Sequence, residues 1–272
     1  MDRSYLLERG YSPIETLRRR ASGAQIVLAR CQRSNREVVL KFKRTGPLGN
    51  EVDQNDITGS IQNEANILAN LDHVNIIQFI DLFKVGKNPV MVMEHAMGGT
   101  LATLIRTNRK LRNDLATKLT NQLAKAIIFL HNHNIAHCDI KSENILLDGE
   151  KNVKLCDFGF AEDVRIHSDG EVVWKGSVAF SSPEGITRVS RDLMAGDVWS
   201  FGVVVFNMVT GYLPFGSQGV ADILHRIGEP LRWPRPLKTV NDRCREFVEM
   251  VLERDVAKRQ TMEQLKDHPW LL

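Results

Sequence analysis

The chain has 272 residues, 43% of them hydrophobic and 25% charged, the balance of a soluble globular protein built as one large or two small units. Its net charge of +3 is too mild to argue for a nucleic-acid partner, and none is expected. Four cysteines without metal-ligand spacing suit a reduced pool, so a cytoplasmic location is expected.

The start, Met1-Asp2-Arg3-Ser4, has no signal-peptide pattern, and Asp2 excludes myristoylation. Residues 24–30 and 36–43 read as two strands around the turn Gln32-Arg33-Ser34-Asn35. In the second strand period-two alternation puts Val39 and Lys41 on one face. Residues 44–60, rich in Gly, Pro and Asn, read as a loop. A helix is expected next, with Ile61, Ala65 and Leu68 on its inner stripe and Glu64 beside it. An inward lysine needs a partner, because an unpaired buried charge is costly, and Glu64 is the obvious partner for Lys41. Runs 76–83 and 89–94 read as strands, completing a sheet-plus-helix portion of about residues 11–96.

After Met97-Gly98-Gly99 the pattern turns helical. Leu115, Leu119, Leu123, Ile127 and Leu130 form a helical stripe. Val153 to Cys156 reads as a short strand. The longest apolar run, Val198 to Val209, falls short of the ~20 residues of a membrane span and contains Asn207, so a buried helix is expected and no membrane contact. Phe247, Val248, Val251 and Leu252 mark a late amphipathic helix. Repeats and low-complexity segments are not evident.

The chemistry concentrates in two stretches: His137-Cys138-Asp139-Ile140-Lys141-Ser142-Glu143-Asn144 and Asp157-Phe158-Gly159. Two acids, an amide and a lysine at this spacing suit phosphoryl transfer. That reaction needs a carboxylate to orient a hydroxyl, hard oxygen ligands for magnesium, and a cation on the moving phosphate.

With Ser182-Pro183-Glu184 and Val38-Val39-Leu40-Lys41, these stretches resemble the motif set of the eukaryotic protein kinases, in the same order along nearly the whole chain. The ending His268-Pro269-Trp270-Leu271, with Asp197-Val198-Trp199-Ser200, resembles the calmodulin-dependent-kinase-like branch, and the opening Tyr5 to Tyr11 is similar to the testis-specific serine kinases within it. The resemblance implies an α+β, two-lobed kinase fold over residues 1–272, with lobes of about 11–96 and 97–272 and no further domain. It implies ATP and Mg²⁺ as cofactors and protein serine or threonine as acceptor, since a Lys two residues after the catalytic Asp is typical of serine/threonine kinases. The oligomeric state is left open.

By the same resemblance Asp139 is the catalytic base and Lys141 neutralises charge on the transferred group. Asn144 and Asp157 hold the metal. Lys41, fixed by Glu64, binds the α- and β-phosphates. The adenine site falls at Glu94-His95-Ala96, with Ile26 and Val39 above, Met93 behind, and Leu146 below; Cys156 lies beside it. Glu184 and Arg259 form a structural pair, Asp197 braces the catalytic loop, and His137 anchors it.

Four departures stand out. Arg19-Arg20-Ala21-Ser22-Gly23-Ala24-Gln25-Ile26 occupies the place of Gly-x-Gly-x-x-Gly-x-Val, removing glycines that let backbone N–H groups approach phosphates. Arg18, Arg19 and Arg20 either compensate by charge or form a solvated basic edge. Val39 and Thr100 replace the usual Ala and a common acid. Cys138 replaces the arginine that clamps a phosphorylated activation segment, and Glu171 and Val173 stand where phosphosites would be, with Ser168 as an alternative. Phosphate and clamp are lost together, as expected if ordering of the segment does not depend on phosphorylation. Ser177 is placed to touch Asp139 and Lys141. The intact set Lys41, Glu64, Asp139, Lys141, Asn144 and Asp157 outweighs the lost glycines, so an active kinase is expected; the alternatives are a pseudokinase scaffold, supported by the lost glycines and Val39, and a slow nucleotide sensor.

Overall fold

The computed structural model describes residues 3–19, 24–43, 54–86, 88–165, 177–190, 192–234 and 240–271, with backbone alone at Arg3, Arg19 and residues 54–60. Two compact units divide the chain, Met1–Met97 and Gly98–Leu272.

The first unit opens with α1 (Arg3–Glu8) and β1 (Tyr11–Arg19), followed by β2 (Ala24–Cys31) and β3 (Glu37–Lys43). Helix α2 (Gln54–Leu68) precedes β4 (Phe79–Val85) and β5 (Asn88–Glu94). The sheet is antiparallel in the order β1-β2-β3-β5-β4. Its two faces bury different sets. Val38, Leu40 and Phe42 join Val27, Ala29, Val90 and Val92 in one cluster, closed by Leu6 of α1. On α2 the stripe Ile61, Ala65 and Leu68 is buried, and the helix packs against β3 and β5. Tyr11 and Phe83, from the two edge strands, stack with ring centroids 5.6 Å apart, so the sheet curls around the Leu6 cluster. Tyr11 Oη donates to Asp81 Oδ2 at 3.3 Å, and burial, reinforced by that carboxylate, pushes the phenol up to about 12.

Two expectations need correction. The expected loop 44–60 is helical from Gln54 onward, despite the weak helix formers Asn55, Thr58 and Gly59; packing of the buried stripe overrides local preference. The strand expected over 76–83 begins at Phe79, and Ile76 and Ile77 are buried ahead of it. Both α1 and β1 lack a sequence signal. Register shifts between Pro13 and Glu15 and between Thr16 and Arg18 break the alternation of β1, and Ile14 and Leu17 stay exposed.

The second unit contains α3 (Leu101–Asn108), α4 (Asn113–Asn132) and four short strands, β6 (Ile135–Ala136), β7 (Ile145–Leu147), β8 (Val153–Leu155) and β9 (Glu162–Asp163). Helices α5 (Pro183–Thr187), α6 (Leu193–Thr210), α7 (Val220–Gly228), α8 (Asp242–Val251) and α9 (Met262–Leu265) follow. Leu119, Leu123, Ile127 and Leu130 of α4 are fully buried, while Leu115 is half-buried. Helix α6 is apolar all round because it packs against α4 and α8 and is buried over 83% of its length. It is long and apolar enough to cross a membrane by length and composition, but its burial marks it as a core helix.

Arg259 grips Glu184 with two parallel hydrogen bonds, Nη1 to Oε1 at 2.5 Å and Nη2 to Oε2 at 3.0 Å. Its other donors reach Glu253 O and Ala195 O, and its guanidinium lies 5.0 Å from the Trp199 ring centroid. Both charges are buried, so each depends on the other for compensation. Glu184→Ala leaves the guanidinium uncompensated and is expected to cost about 3–5 kcal/mol in urea unfolding. A loss below about 1 kcal/mol would show that Arg259 is held well enough without it.

Candidate active site

The four short strands of the second unit place the two chemical stretches. Strand β6 pairs with β9, and β7 with β8. Residues 137–144 connect β6 to β7, and residues 156–161 connect β8 to β9. The two connections therefore leave the same small framework. Cys156 N–H donates to Asn144 O at 2.9 Å, stitching them together.

His137 anchors the first connection. Its side chain is buried, with the ring edge-on to Phe158 at 4.7 Å. Nδ1 accepts from Asp139 N at 3.3 Å and Nε2 lies 3.0 Å from Cys156 O. One nitrogen must accept and the other must donate, so the neutral tautomer with hydrogen on Nε2 satisfies both.

Beneath this loop lies Asp197 of α6, fully buried. Oδ2 accepts His137 N–H at 2.7 Å and Oδ1 accepts Cys138 N–H at 2.9 Å. His131 Nε2, at the end of α4, is 3.2 Å from Oδ2. The bracing expected of Asp197 takes this form. His131 is a member of the network that sequence reasoning missed; its only signal is its place in the last turn of α4.

Asp139 is where the polar groups converge. Lys141 Nζ reaches its Oδ2 at 2.6 Å and Asn144 Nδ2 reaches the same oxygen at 2.7 Å. Ser177 N–H donates to Oδ1 at 3.3 Å, and Lys141 Nζ also donates to Ser177 Oγ at 2.9 Å. Asn144 Nδ2 donates a second bond, to Asp139 O at 2.9 Å. With both amide hydrogens engaged, Asn144 has its Oδ1 available as a hard oxygen donor. Asp157, half-buried at φ +67°, follows β8 on the second connection, and Phe158 behind it is buried. Among the described residues no three His, Cys, Asp or Glu side chains converge. Asn144 and Asp157 together suit magnesium, whose octahedral shell is commonly completed by phosphate and water oxygens.

Cys138 departs from the polar pattern. It sits at φ +62°, buried with Ala136 and Leu193, and Val164 and Met194 pack on the same cluster. Its Sγ lies 3.7 Å from Ala136 O.

In the first unit Lys41 Nζ meets Glu64 Oε2 at 2.6 Å, with Lys41 6% and Glu64 1% exposed. Strand register sets Ile26 opposite Lys41, and Val39 between Leu28 and Met93. Val39 and Met93 are buried and Ile26 half-buried. Glu94 is tied to Gln78 twice, through Glu94 N to Gln78 O at 3.0 Å and Gln78 N to Glu94 Oε1 at 2.8 Å. His95 Nδ1 lies 3.1 Å from Glu37 Oε2, and Ala96 is buried.

Leu146, half-buried in β7 of the second unit, bridges Thr100. Gly98 packs tightly there, since an added Cβ would lie 2.4 Å from Asp148 O. Thr100 Oγ1 caps α3 by accepting Thr103 N–H at 3.1 Å. Ser142 Oγ donates to Asn207 Oδ1 at 3.0 Å, and Glu143 is exposed. Residues 20–23, the side chain of Arg19, Ser168, Glu171 and Val173 lie outside the described residues.

Asp197→Asn replaces an acceptor oxygen by an NH₂ donor and leaves one buried loop N–H unmatched. A loss of about 1–3 kcal/mol in urea unfolding is expected. An unchanged midpoint would mean the loop is held by its other contacts.

The protein kinase domain model matches residues 21–271. Human testis-specific serine/threonine-protein kinase 3 is 31% identical over 98% of this chain and 98% of its own length. Mouse testis-specific serine/threonine-protein kinase 2 is 31% identical over 76% of this chain and 60% of its own length. Human serine/threonine-protein kinase ULK3 is 32% identical over 91% of this chain, which spans 52% of that relative. With a five-stranded antiparallel sheet in one unit, a mainly helical second unit, and a match along most of its length, the chain belongs to the protein kinase family.

Proposed function

We propose that this chain transfers the γ-phosphate of ATP to serine or threonine of a protein substrate. The observation that carries the proposal is the Asp139 carboxylate, held at one oxygen by Lys141 and Asn144 and at the other by Ser177 N–H. A carboxylate so oriented can accept the hydrogen of an incoming hydroxyl and aim its oxygen at phosphorus. Lys141, beside it, stabilises charge developing on the transferred group. Serine and threonine as acceptors are supported by the names of the relatives and by Lys141 itself.

Asn144 Oδ1 and the Asp157 carboxylate are assigned to magnesium, which when bound supplies charge neutralisation on the phosphates. Lys41 binds the α- and β-phosphates with Glu64 fixing its position. Backbone groups of Glu94 to Ala96 take the adenine edge, and Ile26, Val39 and Leu146 pack on the purine. A cytoplasmic location is part of the same reading.

Activation is proposed to be independent of a phosphorylated threonine on the activation segment. The support is Cys138, whose side chain lies in the apolar cluster with Ala136 and Leu193. A phosphate would find no guanidinium at this position. The loop is held from below by Asp197 and from the side by apolar packing.

The pseudokinase alternative draws on Val39, buried where the family's usual alanine leaves room over adenine. Radiolabelled phosphate transfer separates the two readings. Wild type with Mg-ATP is expected to phosphorylate a generic serine-containing protein, Asp139→Asn to lose at least about 100-fold in rate, the lower range for removing a general base, and Asp157→Ala to lose most of the rate with the magnesium ligand. Absence of transfer by wild type, with no thermal shift on adding Mg-ATP, would establish the scaffold. Phosphatase treatment is expected to leave the rate unchanged. Cys138→Arg, which puts an unpaired charge into the apolar cluster, is expected to lower the melting temperature by several degrees for a loss of about 2–3 kcal/mol.

A further inference from the structure

Three side chains from neighbouring strands form a row across one end of the five-stranded sheet. Arg30 of β2 stands opposite Glu37 of β3 in the strand register, with its Nη2 3.5 Å from Glu37 Oε1. The other oxygen of that carboxylate, Oε2, lies 3.1 Å from His95 Nδ1. His95 is the first residue after β5. The β3–β5 ladder ends with Val38 paired to Glu94, so Glu37 and His95 stand where the next pair would fall. The row leads inward from solvent: the side chains are 49% exposed at Arg30, 33% at Glu37 and 18% at His95.

The row ends where the sheet releases its hold on the backbone. Glu94 N–H still donates to Gln78 O at 3.0 Å. Two residues on, Ala96 is buried, yet among the described residues its N–H and C=O make no hydrogen bond to the chain. Buried backbone groups of this kind call for an outside partner. Met97 follows, 68% exposed. Ala96 therefore has no ladder bond to fix its peptide groups, and it borrows orientation from its neighbour. A cross-strand side-chain pair ties together the backbones it joins. A ring N–H donating to a carboxylate is a charge-assisted bond, shorter and stronger than a neutral one. Arg30 holds the same carboxylate from its far side, so the Glu37 anchor is itself braced.

We propose that His95 is a positioning residue for the nucleotide base: held by Glu37, it aims the backbone groups of Ala96 at the hydrogen-bonding edge of adenine. The role rests on the assignment of adenine to Glu94–Ala96 and adds to it a source of base selectivity. His95 acts through the backbone, not by ring contact with the base. The Ala96 N–H suits an acceptor, and adenine offers its bare ring nitrogen N1. Hypoxanthine carries a hydrogen on that nitrogen and a carbonyl in place of the amino group. A firmly oriented N–H then meets another donor, and the base is rejected. A loosened segment swings away from the clash, so it binds adenine less well and discriminates less.

The test uses the full chain and measures Kd for Mg-ATP and for Mg-ITP (inosine triphosphate) by competition with a fluorescent ATP analogue. Wild type is expected to favour ATP by about tenfold or more. His95→Ala is expected to weaken ATP about threefold to tenfold and ITP by less than about twofold, the scale of one charge-assisted hydrogen bond. Glu37→Ala should match it, and the double variant should be no worse than either single change, since both remove one contact. His95→Asn, whose amide nitrogen falls at the place of Nδ1, should restore most of the selectivity. All variants should keep the wild-type melting temperature within a few degrees, because the pair is partly exposed. Equal affinity of wild type for the two nucleotides, equal losses for ATP and ITP, or unchanged ATP affinity in both His95→Ala and Glu37→Ala overturns the proposal. If wild type binds ATP but transfers no phosphate, the catalytic reading falls and the ATP-to-ITP ratio still decides this one. Wild type binding neither nucleotide overturns both.

Discussion

One buried carboxylate organises the second unit. Asp197 projects from the helix at the centre of the core and takes the backbone N–H groups of His137 and Cys138, with His131 beside them. Those two amides begin the connection that carries Asp139, Lys141 and Asn144. Without an internal acceptor they would be buried donors with no partner, and the turn at Cys138, at positive φ, would have little to hold it. The apolar helix thus does two jobs. Its bulk fills the core, and its single buried acid transmits the rigidity of that core to the loop where the chemistry is assigned.

The rest of the polar network follows from this anchor. His137, held at its backbone, lays its ring on Phe158 and reaches Cys156 O, coupling the first connection to the second. Asn144 ties back to Asp139, and Ser177 closes the carboxylate from the other side. Each hydrogen bond is modest singly, but a closed ring of them in a buried setting gives one favoured geometry. Preorganisation of this kind suits a reaction in which the protein mainly positions groups and stabilises charge.

Much of this was legible from residue type and spacing, and the limits have physical causes. The partnership of Lys41 with Glu64 could be argued from the cost of an isolated buried charge, and α6 from an apolar run too thick for an amphipathic helix. Strand β1 was not legible, since two register shifts destroy its alternation and Ile14 and Leu17 face solvent. The early start of α2 was hidden because its first turns carry poor helix formers and depend on packing of the later stripe. His131 was invisible because its importance comes from a contact with Asp197, 66 positions away.

Burial on both faces of β3 has a consequence for folding fidelity. Val38, Leu40 and Phe42 face the Leu6 cluster, while Lys41 alternates with them and meets Glu64. On composition alone, either face of so apolar a strand could be turned inward. A slip of one residue would push the ammonium among Leu6, Val90 and Phe83 and away from Glu64. Lys41 therefore penalises misregistered pairing during assembly, a proofreading role that an aliphatic residue at this position could not perform.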